Sequence, residues 1–236
     1  MEAGCDEAGR GCLFGPVCVA GLVWVDEDPN PDLQIKDSKK MSEKSRKILR
    51  EYIESNAVAY NIQFISETII DRENILQATM KGMHKCIDEI TKQISIDRIL
   101  VDGTYFNTYL DSEMESIEHV CVPQGDNHYL NIAAASILAK EYHDEYVKEL
   151  VKNDPDLDKY DWTNNMCYGT KKHIDFIKVN GLSDYHRNSF LKRKSNSSAS
   201  SVDKASTSVC RCRNSSICTQ HSILSSSTAV PPCSLL

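Results

Sequence analysis

The chain has 236 residues, 41% of them hydrophobic, which allows one ordinary domain with a true core and excludes a wholly disordered chain. No apolar run approaches the ~18 residues of a membrane span, and Met1-Glu2-Ala3-Gly4 lacks the basic and apolar regions of a signal peptide, so a cytoplasmic location is expected. The net charge of −7, from 27 Lys/Arg against 34 Asp/Glu, argues against a surface that holds nucleic acid by general positive charge.

In chain order, a short extended segment is predicted near Ala3–Glu7, followed by a strand-length apolar run at Pro16–Trp24. The Asp-Pro-Asn-Pro stretch within Asp26–Pro31 marks a turn or loop. Ser42 is placed to cap a helix from Glu43 to about Glu54, with Ile48, Leu49, Tyr52 and Ile53 on one face. Val58, Tyr60, Ile62 and Phe64 alternate at the period of a half-buried strand. Asn74 and Gln77 form a capping-box-like pair ahead of a helical run through Ile90. Two short β-prone runs come next, Arg98–Val101 ending at Asp102-Gly103 and Glu118–Val122 stopped by Pro123. Asn131–Leu150 reads as an amphipathic helix through Ala134, Leu138, Tyr142 and Tyr146. Early strands with a helix inserted, then strand–helix units, predict an α/β layered domain with a mixed sheet.

From residue 195 onward serine dominates and periodicity vanishes, which predicts a disordered tail. Residues 192–236 hold Lys192, Arg193, Lys194, Lys204, Arg211 and Arg213 against Asp203 alone, so the body is more acidic than the whole. An acidic body can still meet a phosphate backbone where cations neutralise its carboxylates. Of the ten cysteines, Cys5, Cys12, Cys18, Cys86, Cys121 and Cys167 sit singly in strand-like or helix-like runs, the pattern of buried thiols rather than a disulfide framework.

The first chemical signal is acidic. Asp6-Glu7 follow one predicted strand, Asp102 ends another, and Asp126 lies just after a third. Active sites in open α/β sheets gather beyond the carboxyl ends of strands. Carboxylates gathered there repel one another unless they bind hard cations such as Mg²⁺. Gly9-Arg10-Gly11 comes directly after: two glycines around an arginine let backbone approach a ligand and offer it amides, or else form a plain tight turn with a surface arginine.

Together these residues are recognisable. Gly4-Cys5-Asp6-Glu7-Ala8-Gly9-Arg10-Gly11 with Phe14-Gly15-Pro16-Val17 resembles the N-terminal signature of the ribonuclease HII family. Asp37-Ser38-Lys39-Lys40 with Ser42-Glu43-Lys44, then Val101-Asp102-Gly103, resemble its second and third blocks. Gly125-Asp126 with Ile132 to Lys140, then Tyr168-Gly169-Thr170 with His173, and His186-Arg187-Asn188-Ser189-Phe190, resemble the rest, in the family's order.

The resemblance implies an RNase H-like α/β fold: a central mixed five-stranded sheet flanked by helices, with a small helical C-terminal subregion. Residues 1–191 would form the catalytic domain and 192–236 an added serine-rich, basic, cysteine-containing tail. It implies an endonuclease that cuts the RNA strand of RNA–DNA hybrids and incises 5′ of ribonucleotides in duplex DNA, leaving 3′-hydroxyl and 5′-phosphate ends. Four metal-binding carboxylates map onto Asp6, Glu7, Asp102 and Asp126, for Mg²⁺ or Mn²⁺ in two-metal-ion catalysis. Asp111 lies near the fourth, but Gly125-Asp126 directly precedes the Ala-Ala-Ala-Ser helix. Gly9, Arg10 and Gly11 map onto the element that reads the ribose 2′-hydroxyl, the group that separates RNA from DNA at one position. Tyr168 maps onto the tyrosine that packs on the neighbouring deoxyribose; by spacing alone it reads as a half-buried core residue.

Lys39, Ser136 and Lys140 are candidate phosphate contacts; their structural alternatives are a solvated loop lysine, a small residue for close helix packing, and a surface helix lysine. His186 and Arg187 read as residues that orient the C-terminal subregion. The family's His-Lys-Gly before Tyr-Gly-Thr is here Asn165-Met166-Cys167, which removes a lysine and a flexible glycine and bears on how Tyr168 is placed. In the tail, Cys210-Arg211-Cys212 with Cys218, Cys233 and His221 lacks the paired spacing of familiar zinc modules. The Tyr168-Gly169-Thr170 block resembles the single-subunit bacterial pattern, so a monomer with no obligatory protein partner is expected. A hybrid-binding protein without activity is the competing class, and the four retained carboxylates argue against it.

Overall fold

The computed structural model describes residues 1–24, 35 and 41–195. The Asp26–Pro31 turn, Lys39 with its Asp37–Lys40 block, and the tail from 196 to 236 with its predicted disorder and cysteines lie outside the described residues.

Five strands form one sheet in the order β3-β2-β1-β4-β5: β1 Glu2–Ala8, β2 Val17–Val23, β3 Ala59–Ile65, β4 Arg98–Asp102 and β5 Glu118–Val122. The first three pair antiparallel, whereas β4 runs parallel to β1 and to β5, so the sheet is mixed as predicted. The helices are α1 Glu43–Asn56, α2 Glu67–Glu73, α3 Ile75–Thr91, α4 Leu130–Asn153, α5 Trp162–Asn165, α6 Lys171–Asn180 and α7 Asn188–Ser195. Helix α7 runs past the expected domain boundary at residue 191.

All seven residues of β2 are buried, because the strand's alternate side chains feed two cores. Val17, Val19 and Val23 join Met83, Ile87 and Ile90 of α3, while Cys18, Ala20 and Leu22 join Leu49 and Ile53 of α1 and Ile137 and Leu138 of α4. Each of the valine, leucine, isoleucine and methionine side chains contributes roughly 1.5–3 kcal/mol by leaving water. The result is a sheet sandwiched between helical layers.

Helix α4 departs from the amphipathic reading. Every residue from Ile132 to Ala139 is buried, because α4 packs at once against β1, β2, α1 and the C-terminal region. It can approach β1 so closely because Gly4 has no side chain; a Cβ there would overlap the backbone of Asn131. The Asn131 side chain ties the start of α4 to the sheet, accepting from the Trp24 amide at 2.9 Å and donating to the Glu2 carbonyl at 3.0 Å.

Two local expectations change in detail. Asn74 caps α3 through the Leu76 and Gln77 amides, but the Gln77 side chain accepts from Asn107 at 3.1 Å, so the reciprocal half of the capping box is engaged elsewhere. The sequence reading missed α2, whose seven residues are too few for a hydrophobic face to repeat.

A third cluster forms the helical C-terminal subregion. Phe14 stacks on Trp162 with ring centroids 3.5 Å apart, and Trp162 stacks on Tyr160 at 4.9 Å, which anchors the loop after β1 to α5 and the preceding 3-10 turn. Cys5, Cys12, Cys18, Cys86 and Cys167 are buried free thiols and Cys121 is partly buried.

Candidate active site

Asp6 and Glu7 lie inside β1 rather than after it, because antiparallel pairing with β2 carries the strand on to Ala8. Parallel pairing registers Cys5 with Val101, so the next step along both strands sets Asp6 beside Asp102. Asp6 is 5% exposed. Burial, then the negative charges of Glu7 and Asp102, push its carboxyl well above the usual range, opposed by a Ser136 hydrogen bond and the Glu7 amide. That amide donates to Asp6 at 2.7 Å. Asp102 accepts from the Gly125 amide at 2.8 Å, which brings the Asp126 turn to the end of β4. Asp126 is itself buried and accepts from the Asn127 side chain at 3.0 Å. Asp111 lies elsewhere, in the β4–β5 connection, lining a recess with Asp97 and Glu118 at the opposite ends of those strands.

Gly9-Arg10-Gly11 forms a turn closed by the Cys12 amide on the Gly9 carbonyl at 3.2 Å. Gly9 has φ +79°, and a Cβ there would overlap the His143 ring. Only glycine meets both demands. Arg10 reaches back to Glu7 at 3.1 Å, linking the turn to the carboxylates.

Tyr168 is 42% exposed, bridges Cys12 in antiparallel fashion, and places its ring 3.6 Å from where a Cβ on Gly11 would stand. Burial of its inner part pushes the phenol up to about 12. The altered block before it still makes a tight turn. Met166 and Cys167 adopt left-handed φ of 45° and 65°, costing on the order of 1 kcal/mol each. Asn165 braces them, accepting from the Cys167 amide at 2.8 Å and donating to the Tyr160 carbonyl at 2.9 Å. Behind Tyr168, His173 Nε2 accepts from Trp162 at 3.2 Å, so its Nδ1 donates to the Tyr168 carbonyl at 3.0 Å.

Ser136, Lys140 and Asp144 recur every fourth residue of α4 and share a face. Ser136 serves Asp6, whereas Lys140 is held by Asp144 at 2.8 Å. Asp144 also faces His143 at 3.2 Å and Arg46 at 3.7 Å. Against the cost of burial, the His143 and Lys140 hydrogen bonds hold its carboxyl below the usual range. Sequence reasoning missed His143 as the support of Gly9, since only the packing of α4 on β1 brings the two together.

Among the described residues no three His, Cys, Asp or Glu side chains already converge as a metal cluster. The donor set nevertheless fits a hard divalent cation: it is all oxygen, and Asp6 is destabilised as an anion by its carboxylate neighbours.

Comparison with known proteins agrees with this geometry. A family model described as Ribonuclease HII matches residues 3–193. Ribonuclease HII of Cytophaga hutchinsonii is 44% identical over 191 residues, covering 80% of this chain and 89% of that protein. That of Parabacteroides distasonis is 43% identical over 190 residues, with the same coverage. The fold is shared with ribonuclease HII in its PCNA complex from Archaeoglobus fulgidus, with a TM-score of 0.65 at 23% identity over 81% of this chain and 94% of that one. It is also shared with ribonuclease H2 from Pyrococcus horikoshii, with a TM-score of 0.62 at 18% identity over 82% and 95%. The chain belongs to the ribonuclease HII family of nucleases.

Proposed function

We propose that this protein hydrolyses the RNA strand of RNA–DNA hybrids and incises 5′ of ribonucleotides embedded in duplex DNA. The observation that carries this reading is the junction of two features: Arg10 of the glycine turn is ion-paired to Glu7, and Tyr168 covers Gly11 of the same turn. A ribose reader therefore adjoins a carboxylate cluster.

Asp6, Glu7, Asp102 and Asp126 would hold Mg²⁺ or Mn²⁺. Two such cations, when bound, supply the positive charge that phosphodiester hydrolysis needs at neutral pH. Ser136 keeps Asp6 oriented. The Gly9–Gly11 turn selects a 2′-hydroxyl, and Tyr168 packs on the sugar beyond it. Lys140 and Lys39 contact flanking phosphates, Lys140 after exchanging its Asp144 partner. Water adds its oxygen to phosphorus, the bond to the 3′ oxygen breaks, and the products carry 3′-hydroxyl and 5′-phosphate ends. Residues 1–191 carry the chemistry, and the basic segment 192–236 either adds salt-sensitive attraction to nucleic acid or is a passive extension. We assign it as a cytoplasmic monomer with no obligatory protein partner; no helix among the described residues is long and apolar enough to cross a membrane.

The test is a labelled DNA duplex containing one ribonucleotide, incubated with and without Mg²⁺ or Mn²⁺ beside an all-DNA duplex. Metal-dependent incision 5′ of the ribonucleotide, absent from the all-DNA control, is expected. Cutting of long hybrids alone would remove the junction activity, and binding without cutting of either would replace the enzyme by a hybrid-binding protein.

A further inference from the structure

The Gly9–Gly11 turn is held from behind by a residue that takes no part in the proposed chemistry. Arg187 is fully buried. Its Nε donates to the Gly15 carbonyl at 2.8 Å, and its Nη1 donates to the carbonyls of Cys12 at 2.9 Å and Arg10 at 3.1 Å. The Arg10 carbonyl lies within the glycine turn itself. The Arg187 amide adds a bond to the Leu13 carbonyl at 2.9 Å. The amides of Arg10 and Gly11 take part in no turn, loop or cap hydrogen bond among the described residues.

Arg187 is in turn fixed by helix α7, which begins at the next residue. Asp71 of α2 caps α7 from outside, accepting from the Asn188 and Ser189 amides at 2.9 Å each and from the Ser189 hydroxyl at 2.6 Å. The Phe190 ring lies 5.3 Å from the guanidinium. A rigid line therefore runs from Asp71 through the start of α7 to the turn.

This is a poor arrangement for stability alone. A buried guanidinium carries a large desolvation penalty, and here, among the described residues, no carboxylate pairs with it directly; the charges of Glu67 and Asp71 act on it only from farther off. Its Nη2 is buried without a partner. A guanidinium does supply a planar fork of donors at fixed angles, which lysine cannot reproduce.

We propose that Arg187 is the positioning residue for ribose recognition: its side chain draws the carbonyls of Arg10, Cys12 and Gly15 inward, so that the Arg10 and Gly11 amides are presented to the 2′-hydroxyl. The inference rests on the functional reading above and assigns it a specificity device remote from the carboxylates.

The test measures binding in an Asp102→Asn background, which stops turnover, with Mg²⁺ present. Affinity for a duplex containing one ribonucleotide is compared with that for the same all-DNA duplex. The parent protein is expected to prefer the ribonucleotide. Arg187→Lys should lower that preference by about tenfold, the worth of one to two hydrogen bonds, while all-DNA affinity holds within about twofold. Asp71→Ala, remote from the turn, should lower it several-fold, and decides the matter if Arg187→Lys does not fold. A folded Arg187→Lys with the parent's preference would overturn the inference. So would equal losses for both duplexes that track Tm, which is the result of a purely structural role. A parent without any preference would sink the functional reading and this inference together.

Discussion

The Asp102 carboxylate accepts a hydrogen bond from the Gly125 amide at 2.8 Å, and so ties the end of β4 to the turn that carries Asp126. One carboxylate thus places another, and the two roles of Asp102, charge and acceptor, can be separated.

Asp102→Asn keeps an oxygen for the Gly125 amide and removes one of the charges that destabilise Asp6. Incision should fall by roughly two orders of magnitude or more, while Tm measured in chelator stays at or above that of the wild type. A large drop in Tm would show that the substitution acts through the fold.

Gly9→Ala forces alanine to φ +79° and drives its Cβ into the His143 ring. A stability loss of about 2 kcal/mol is expected, the sum of left-handed strain and a modest clash, together with loss of ribonucleotide preference. Denaturant titration and the duplex binding ratio check the two parts separately.

Tyr168→Ala removes the ring that covers Gly11. If the ring packs on a sugar, incision at a single ribonucleotide should fall about tenfold or more, the equivalent of roughly 1–3 kcal/mol of stacking. Tyr168→Phe should retain most of the activity. Equal effects of both substitutions would point to the hydroxyl instead of the ring.

Three histidines are buried neutral: His143, His173 and His186, each with its pKa held down first by burial, that of His186 to about 4. The unfolded chain binds their protons below the ordinary value of 6.5, whereas the folded chain does so only at lower pH. Stability from these groups is therefore complete above pH 6.5 and is lost as pH falls from there toward 4. For His186 the loss reaches about 3 kcal/mol at most. Tm measured across that interval should decline, and His186→Gln should make the decline shallower.

How much of this was readable beforehand differs from element to element. The apolar run at 16–24 announced β2, and Asn74 announced the start of α3, because strand burial and helix capping are local demands that a few adjacent residues must meet. Helix α4 was legible as a helix but not as a buried one, since its polar residues Glu141, His143 and Asp144 are satisfied by partners elsewhere in the chain and in the helix itself. The left-handed backbone at Met166 and Cys167 had no local signal; the residue that braces it, Asn165, is polar like many that do nothing of the kind.

By itself the sequence determined the strands, the three long helices α1, α3 and α4, the family and the identity of the candidate carboxylates, because period, caps and motif order are written in neighbouring residues. Only the tertiary structure decided that Asp6 stands beside Asp102, that His143 supports Gly9, and that Arg187 grips the carbonyl of Arg10. Each of these joins residues far apart along the chain, and such contacts depend on strand register and helix packing, which no local stretch specifies.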